Sequence, residues 1–273
     1  MVKQPIGIFD SGYGGLTVLK EITALLPQYD YLYMGDSLRA PYGPLPFQTI
    51  YDFTLEAVRW FFAQGCSLVV LACNTASAKA LRSIQQINLP GLASGNRVLG
   101  VIRPTAEVIG DYTLTNHVGI LGTQGTVSSG SYLLEIKKFF PDITLTQEAC
   151  PSWVKLVENN DYATTKANQS VREHIQRILA NDPAIDTLLL ACTHYPLLIN
   201  KIKLFVPDKV KIISQGNIIA SSLSDYLIRH PEIREKCSLH HTVSFVTTGD
   251  TKDFDTHGTK FYGNAVHSLH ITL

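Results

Sequence analysis

The sequence has no surplus of either charge: across 273 residues lysine and arginine number 23 and aspartate and glutamate 23, so there is neither a basic field for nucleic acid nor an acidic tail. It has no apolar run near the roughly 18–20 residues that cross a bilayer; the longest, at 68–73, is of strand length. The opening residues lack the basic region and apolar stretch of a signal peptide, and a cytoplasmic protein is expected. The five cysteines include no CxxC pair and no zinc-type spacing, which argues against a disulfide framework and a metal site and for reduced thiols. Low-complexity tracts are missing as well. Polyanion binding and membrane insertion therefore start with nothing in their favour.

What is present is a repeated alternation of short β-branched runs with longer amphipathic stretches, the βαβα pattern of a parallel sheet. Strands are expected at 6–9, 31–34, 68–72, 98–102, 118–121, 143–147, 187–191, 210–213 and 243–247. The stretch 47–64 carries Ile50, Phe53, Ala57, Val58, Phe61 and Phe62 at helical spacing, a core-facing stripe. At 45% hydrophobic content the chain can fill one large α/β domain or two smaller ones. Turn-rich residues 89–97 mark one crossing between domains, and 214–217, where the strand at 210–213 ends, mark a return. This predicts a first domain of 1–97 plus 214–273 and a second of 98–213.

Two segments share one design. Residues 68–75 end in Ala72-Cys73-Asn74-Thr75, and residues 187–194 end in Ala191-Cys192-Thr193-His194; each is an apolar strand followed by Ala-Cys and a threonine-containing polar step into a helix. Open α/β sheets build their sites at the carboxyl ends of strands. Both thiols thus fall where a site would form, one in each half of the chain. A thiol at a helix start is expected to be drawn down toward ambient pH by unpaired N–H groups and the helix dipole. Inverting a stereocentre needs a base on one face and an acid on the other, and two matched thiols could supply both. An isolated cysteine is more often a small buried hydrophobe, and that reading stands for Cys66, Cys150 and Cys237, which lack the duplicated setting. A Cys–His hydrolase built on Cys192 and His194 would leave Cys73 without a task.

The first strand runs into Asp10-Ser11-Gly12-Tyr13-Gly14-Gly15, ahead of a helix expected near Leu16. A glycine-rich turn there could cradle phosphate, as in sugar kinases and related ATPases, but the Asp10 carboxylate would repel phosphate and attract an ammonium group. Asp10 could equally cap the helix, His194 could cap backbone groups at its own helix start, and Glu158 alone reads as a solvated residue. His194 titrates near neutral pH and is easily moved by a neighbouring carboxylate. Ser11, Asn74 and Thr75 are neutral donors suited to a bound carboxylate.

Five blocks, in order, resemble the glutamate racemases of the aspartate/glutamate racemase family over nearly the whole chain. They are residues 7–16 (GIFDSGYGGL), Gly35-Asp36 followed by Pro41-Tyr42-Gly43, residues 72–77 (ACNTAS), Leu156-Val157-Glu158, and residues 192–198 (CTHYPLL). The resemblance implies two Rossmann-like or flavodoxin-like α/β domains with mainly parallel sheets, related by a pseudo-twofold, with the active site in the cleft between them. It implies interconversion of L- and D-glutamate by a two-base cysteine mechanism without pyridoxal phosphate, other cofactor or metal. By position it makes Cys73 and Cys192 the catalytic bases, with Asp10 and His194 assisting the thiols and Glu158 acting with the histidine. It assigns substrate contacts to Asp10, Ser11, Tyr42, Gly43, Asn74, Thr75, Thr193 and His194, with Thr123 or Thr126 in addition. The family supplies D-glutamate for peptidoglycan in the bacterial cytoplasm, and its members are often homodimers.

Pro46, Arg103 and Ser214 depart from the family's usual serine, glutamate and aspartate at those positions, without touching a proposed acid/base residue. Aspartate racemases also pair two cysteines, so the substrate is less firmly implied than the reaction. A protein that kept this scaffold only to bind a ligand is the reading from a different class.

Overall fold

The computed structural model describes residues 4–92 and 95–273. Nine of its strands fall where the β-branched runs predict: β1 (Ile6–Asp10), β2 (Tyr31–Gly35), β3 (Leu68–Leu71), β4 (Arg97–Gly100), β5 (His117–Gly122), β6 (Thr144–Ala149), β7 (Thr187–Ala191), β8 (Lys211–Ser214) and β9 (Val243–Thr247). A tenth, β10 (Ser268–His270), is a three-residue edge strand too short and too exposed to leave a sequence pattern. The strands form two sheets, ordered β10-β9-β2-β1-β3-β4 and β6-β5-β7-β8. Every pairing within them is parallel.

Strands covered on both faces read as continuous apolar runs, and alternate residues then enter different cores. Along β3, Leu68 and Val70 join one core while Val69 and Leu71 join another. Along β7, Leu188 and Leu190 enter the same core as Leu68 and Val70, while Leu189 enters a third. One apolar mass therefore touches both sheets, and each sheet has a separate core on its other face.

The helices that frame the site are α1 (Leu16–Leu25), α2 (Phe47–Ala63), α3 (Asn74–Lys79), α4 (Ile102–Val108), α5 (Gln124–Ser128), α6 (Ser131–Phe139), α7 (Trp153–Glu158), α8 (Thr165–Asn181), α9 (Gly216–Arg229) and α10 (Thr251–Tyr262). In α2 the predicted stripe is buried at Ile50, Ala57, Val58 and Phe61. Two local expectations are corrected. The strand expected at 98–102 stops at Gly100, because Ile102 opens α4, and it pairs with β3. The chain thus leaves the six-stranded sheet after Gly100, and the boundary expected at Arg97 falls within β4. Part of the turn-rich stretch at 89–97 is helical, over Leu89–Leu92, while residues 93 and 94 lie outside the described residues. None of the helices among the described residues is long and apolar enough to cross a membrane.

Candidate active site

The site forms where β1, β3, β5 and β7 end. Asp10 closes β1, Cys73 follows β3, Thr123 follows β5 and Cys192 follows β7. Cys73 and Cys192 line one cavity of about 20 Å³, together with Ser11, Tyr42, Gly43, Asn74, Thr75, Thr123, Glu158, Thr193 and His194. That is room for about one water. A second cavity, of about 310 Å³, shares Cys192 and Thr193 and is otherwise lined by α1, the start of α9, Ser214, the end of α10 and residues on either side of Cys192 in β7 and the segment Tyr195–Leu198.

Around Cys73, the thiol is the N-cap of α3. Its Sγ accepts from the Ala76 N–H at 3.4 Å and lies 3.6 Å from Ser11 Oγ. The expected lowering of this thiol is not met. Burial, reinforced by the nearby Asp10 carboxylate, outweighs the Ala76 and Ser11 hydrogen bonds and pushes Cys73 up to about 12. A six-residue helix offers too little dipole to reverse the desolvation. The parallel with Cys192 also stops at the backbone, because Cys192 leads through a turn into the 3-10 segment Tyr195–Leu198 and not into an α-helix.

Around Cys192, His194 Nε2 donates to Glu158 Oε1 at 3.1 Å. Burial alone would lower this imidazole, but hydrogen bonds and charge from Cys192 and Glu158 prevail and raise it to about 10. His194 makes no side-chain cap, and Glu158 is not a solvated bystander: α7 ends on it, directed at the histidine. Its carbonyl in turn accepts from His257 Nε2 of α10 at 3.0 Å.

Asp10 is fully buried, and its carboxylate accepts from the Gly12 N–H at 2.9 Å and from Thr193 Oγ1 at 3.3 Å. Burial raises its pKa against the opposing pull of His194. It does not cap α1 through its side chain, whose N-cap is Gly15. The glycines of this turn serve close approach: a Cβ on Gly14 would sit 2.3 Å from Thr193 Oγ1 and 2.5 Å from His194 Nδ1. Gly15 is as tight, since its Cβ would lie 2.6 Å from that of Asp10. The turn holds the two halves of the site together.

Thr75 and Thr123 share a hydrogen bond of 2.9 Å between hydroxyls, and Thr123 donates to Thr126 at 3.0 Å, making a cluster of hydroxyls across the two sheets' ends. Gly125 N donates to the Gly43 carbonyl at 3.0 Å, a second stitch between them. The Tyr42 hydroxyl is committed to Asp36, itself held by Arg39 at 2.7 Å and Thr248 at 2.7 Å, so Tyr42 offers the cavity its ring and main chain.

Asn74 has both side-chain atoms engaged, by Tyr132 and by Gln215, two residues without a recognisable motif of their own. Cys66, Cys150 and Cys237 are buried in the apolar cores. Of the departures, Arg103 is exposed and paired with Glu107, Pro46 precedes α2, and Ser214 ends β8.

Comparison with known proteins bears on the chain as a whole. Positions 15–223 match the family model described as Asp/Glu/Hydantoin racemase. The chain is 37% identical, over its whole length and 98% of the relative's, to a glutamate racemase of Bacillus cereus. A crystal structure of a glutamate racemase isoform from Bacillus anthracis superposes with a TM-score of 0.89 at 33% identity, covering 99% of this chain and 98% of that one. The glutamate racemase of Francisella tularensis, solved in complex with D-glutamate, gives 0.86 at 30% identity with coverages of 99% and 98%.

Proposed function

The chain belongs to the Asp/Glu/Hydantoin racemase family, and on that premise we propose that it interconverts L- and D-glutamate with Cys73 and Cys192 as the two acid/base groups. The observation that carries the proposal is the presence of both sulfurs on the wall of one cavity. Burial and Asp10 keep Cys73 protonated, which suits it to deliver a proton. Protonated His194, steadied by Glu158, supplies the counter-charge that a base sulfur at Cys192 requires. One sulfur removes the α-proton as the C–H bond breaks, the other gives its proton to the opposite face, and the roles are then exchanged for the reverse reaction.

Removal of the α-proton places extra charge on the substrate carboxylate, and neutral donors aimed at it stabilise the transition state. Ser11 and the remaining amide N–H of Asn74 serve as such donors; Thr75, Thr123 and Thr193 line the cavity with hydroxyls whose protons go to Thr123, Thr126 and Asp10, and they reach the substrate by exchanging those bonds, while Asp10 pairs with the ammonium group. Gly43 and Tyr42 complete the wall on the side of the six-stranded sheet. No cofactor takes part in this scheme. The two domains of the proposal are the body around the six-stranded sheet, from both ends of the chain, and the body around the four-stranded sheet. The product would feed peptidoglycan synthesis in the cytoplasm, and a homodimer, common among relatives, is tested by sedimentation equilibrium.

Purified protein in D₂O is expected to abolish the circular dichroism of either glutamate enantiomer while deuterium enters the α position, without added cofactor. Cys73→Ser and Cys192→Ser are each expected to abolish racemisation. If both variants racemise at the parent rate, or deuterium never enters, the two-sulfur scheme is wrong.

A further inference from the structure

The chain passes between the two sheets twice, once after β4 and once after β8, and both crossings meet at one buried side chain. Gln215, the residue before α9, is almost fully buried. Its Nε2 donates to Thr105 Oγ1 at 2.8 Å and lies 3.3 Å from the Val101 carbonyl, both on the first crossing. The same nitrogen donates to Tyr132 Oη of α6 at 2.7 Å.

Tyr132 Oη in turn donates to Asn74 Oδ1 at 2.6 Å, and Asn74 Nδ2 donates to Gln215 Oε1 at 2.8 Å. The three side chains close a ring in which every donor faces an acceptor, which fixes the amide orientations and lets each bond reinforce the next. Asn74 is bonded in sequence to Cys73, and Gln215 shares the wall of the larger cavity with Cys192.

We infer that Gln215, acting through Asn74 and Tyr132, is a positioning residue whose ring holds the Cys73 segment against the four-stranded sheet and so sets the separation of the two sulfurs. This rests on the proposed two-sulfur reaction. Among the described residues the Cys73 segment has no other side-chain amide anchored in this way: the remaining ties of α3 are the hydroxyl contacts of Thr75, the Ser131 hydroxyl on the Ala78 carbonyl at 3.1 Å, the Val101 N–H on Ser77 Oγ at 3.3 Å and Lys79 Nζ on Ser128 Oγ at 3.4 Å. Opening the ring frees Asn74 to turn and the start of α3 to drift. A misplacement of about 1 Å costs on the order of a hundredfold in rate when reacting groups must be aligned.

Gln215→Met keeps the side-chain length and removes both amide functions. The expected result is a fall in kcat of about 10- to 100-fold, with KM little changed. In an Asn74→Ala background the same substitution is expected to cost less than about threefold more, because the two act as one unit. Tyr132→Phe opens the ring more gently and is expected to move kcat in the same direction, which covers the case of a poorly folding Gln215→Met.

Alkylation by iodoacetamide, read thiol by thiol by mass spectrometry, gives a measure independent of turnover. Loosening at the site raises Cys73 severalfold relative to Cys150, whereas global destabilisation raises both together. Parent kcat in Gln215→Met, losses that multiply fully in the double variant, or equal rises at Cys73 and Cys150 would each overturn the inference. A parent protein that leaves glutamate unchanged counts against the racemase reading, while the labelling ratio still decides the role of the ring.

Discussion

Replacing Glu158 by glutamine tests the electrostatics of the site most directly. In the native protein His194 stands at about 10, against 6.5 for a free imidazole, with burial opposing the rise and Cys192 and Glu158 driving it. The net rise is 10 − 6.5 = 3.5 units, about 5 kcal/mol at 1.36 kcal/mol per unit, in favour of the protonated form. Because the folded value is raised, the stabilisation is full below pH 6.5 and is lost as pH climbs through about 10. Glu158→Gln keeps a hydrogen-bond acceptor at 3.1 Å and deletes the charge. An opposite charge at that range is worth roughly 1–3 units, so the His194 midpoint should fall to about 8.5. The protonated fraction at pH 9.5 then drops from about 76% to about 9%, and the basic limb of kcat/KM should move down with it. Titration of isotopically labelled histidine by NMR reads the midpoint, and a pH–rate profile reads the consequence. A midpoint within about 0.3 units of the parent's in Glu158→Gln, well inside the shift expected from losing a charge, would refute the coupling.

Two further outcomes follow from single contacts. Gly14→Ala places a methyl 2.3 Å from Thr193 Oγ1 and 2.5 Å from His194 Nδ1, so kcat/KM should fall by about a hundredfold as the histidine is displaced, measured by steady-state racemisation beside a thermal melt. Asp186 accepts from Thr113, Leu114 and Thr115, and against the cost of burial these bonds lower it to about 2. Its contribution is therefore present above pH 3.8 and lost as pH falls through about 2; the Tm deficit of Asp186→Asn at neutral pH should close in acid.

Asp10 ends a strand and Cys73, Thr123 and Cys192 each follow one, and a strand end in a parallel sheet is where a ligand can approach. That placement was legible from β-branched runs and the turns after them. The edge strand β10 was not, since three exposed residues carry no period. The thiol chemistry was legible only in part: the duplicated Ala-Cys step marked both sulfurs, but a helix-start argument for Cys73 had the wrong sign, because desolvation depends on what closes over the sulfur.

By itself, then, the order of residues determined nine of the ten strands, the two thiols and the glycines on which the turn after β1 depends. Only the tertiary structure decided that Glu158 would face His194 and that Thr193 would reach Asp10 across 183 positions. It also decided that Gln215, Tyr132 and Asn74 would close a ring. The physical reason is range. Periodicity and turn chemistry act over a few residues and are written locally, whereas burial, charge coupling and buried hydrogen-bond rings depend on which distant segments exclude water from one another.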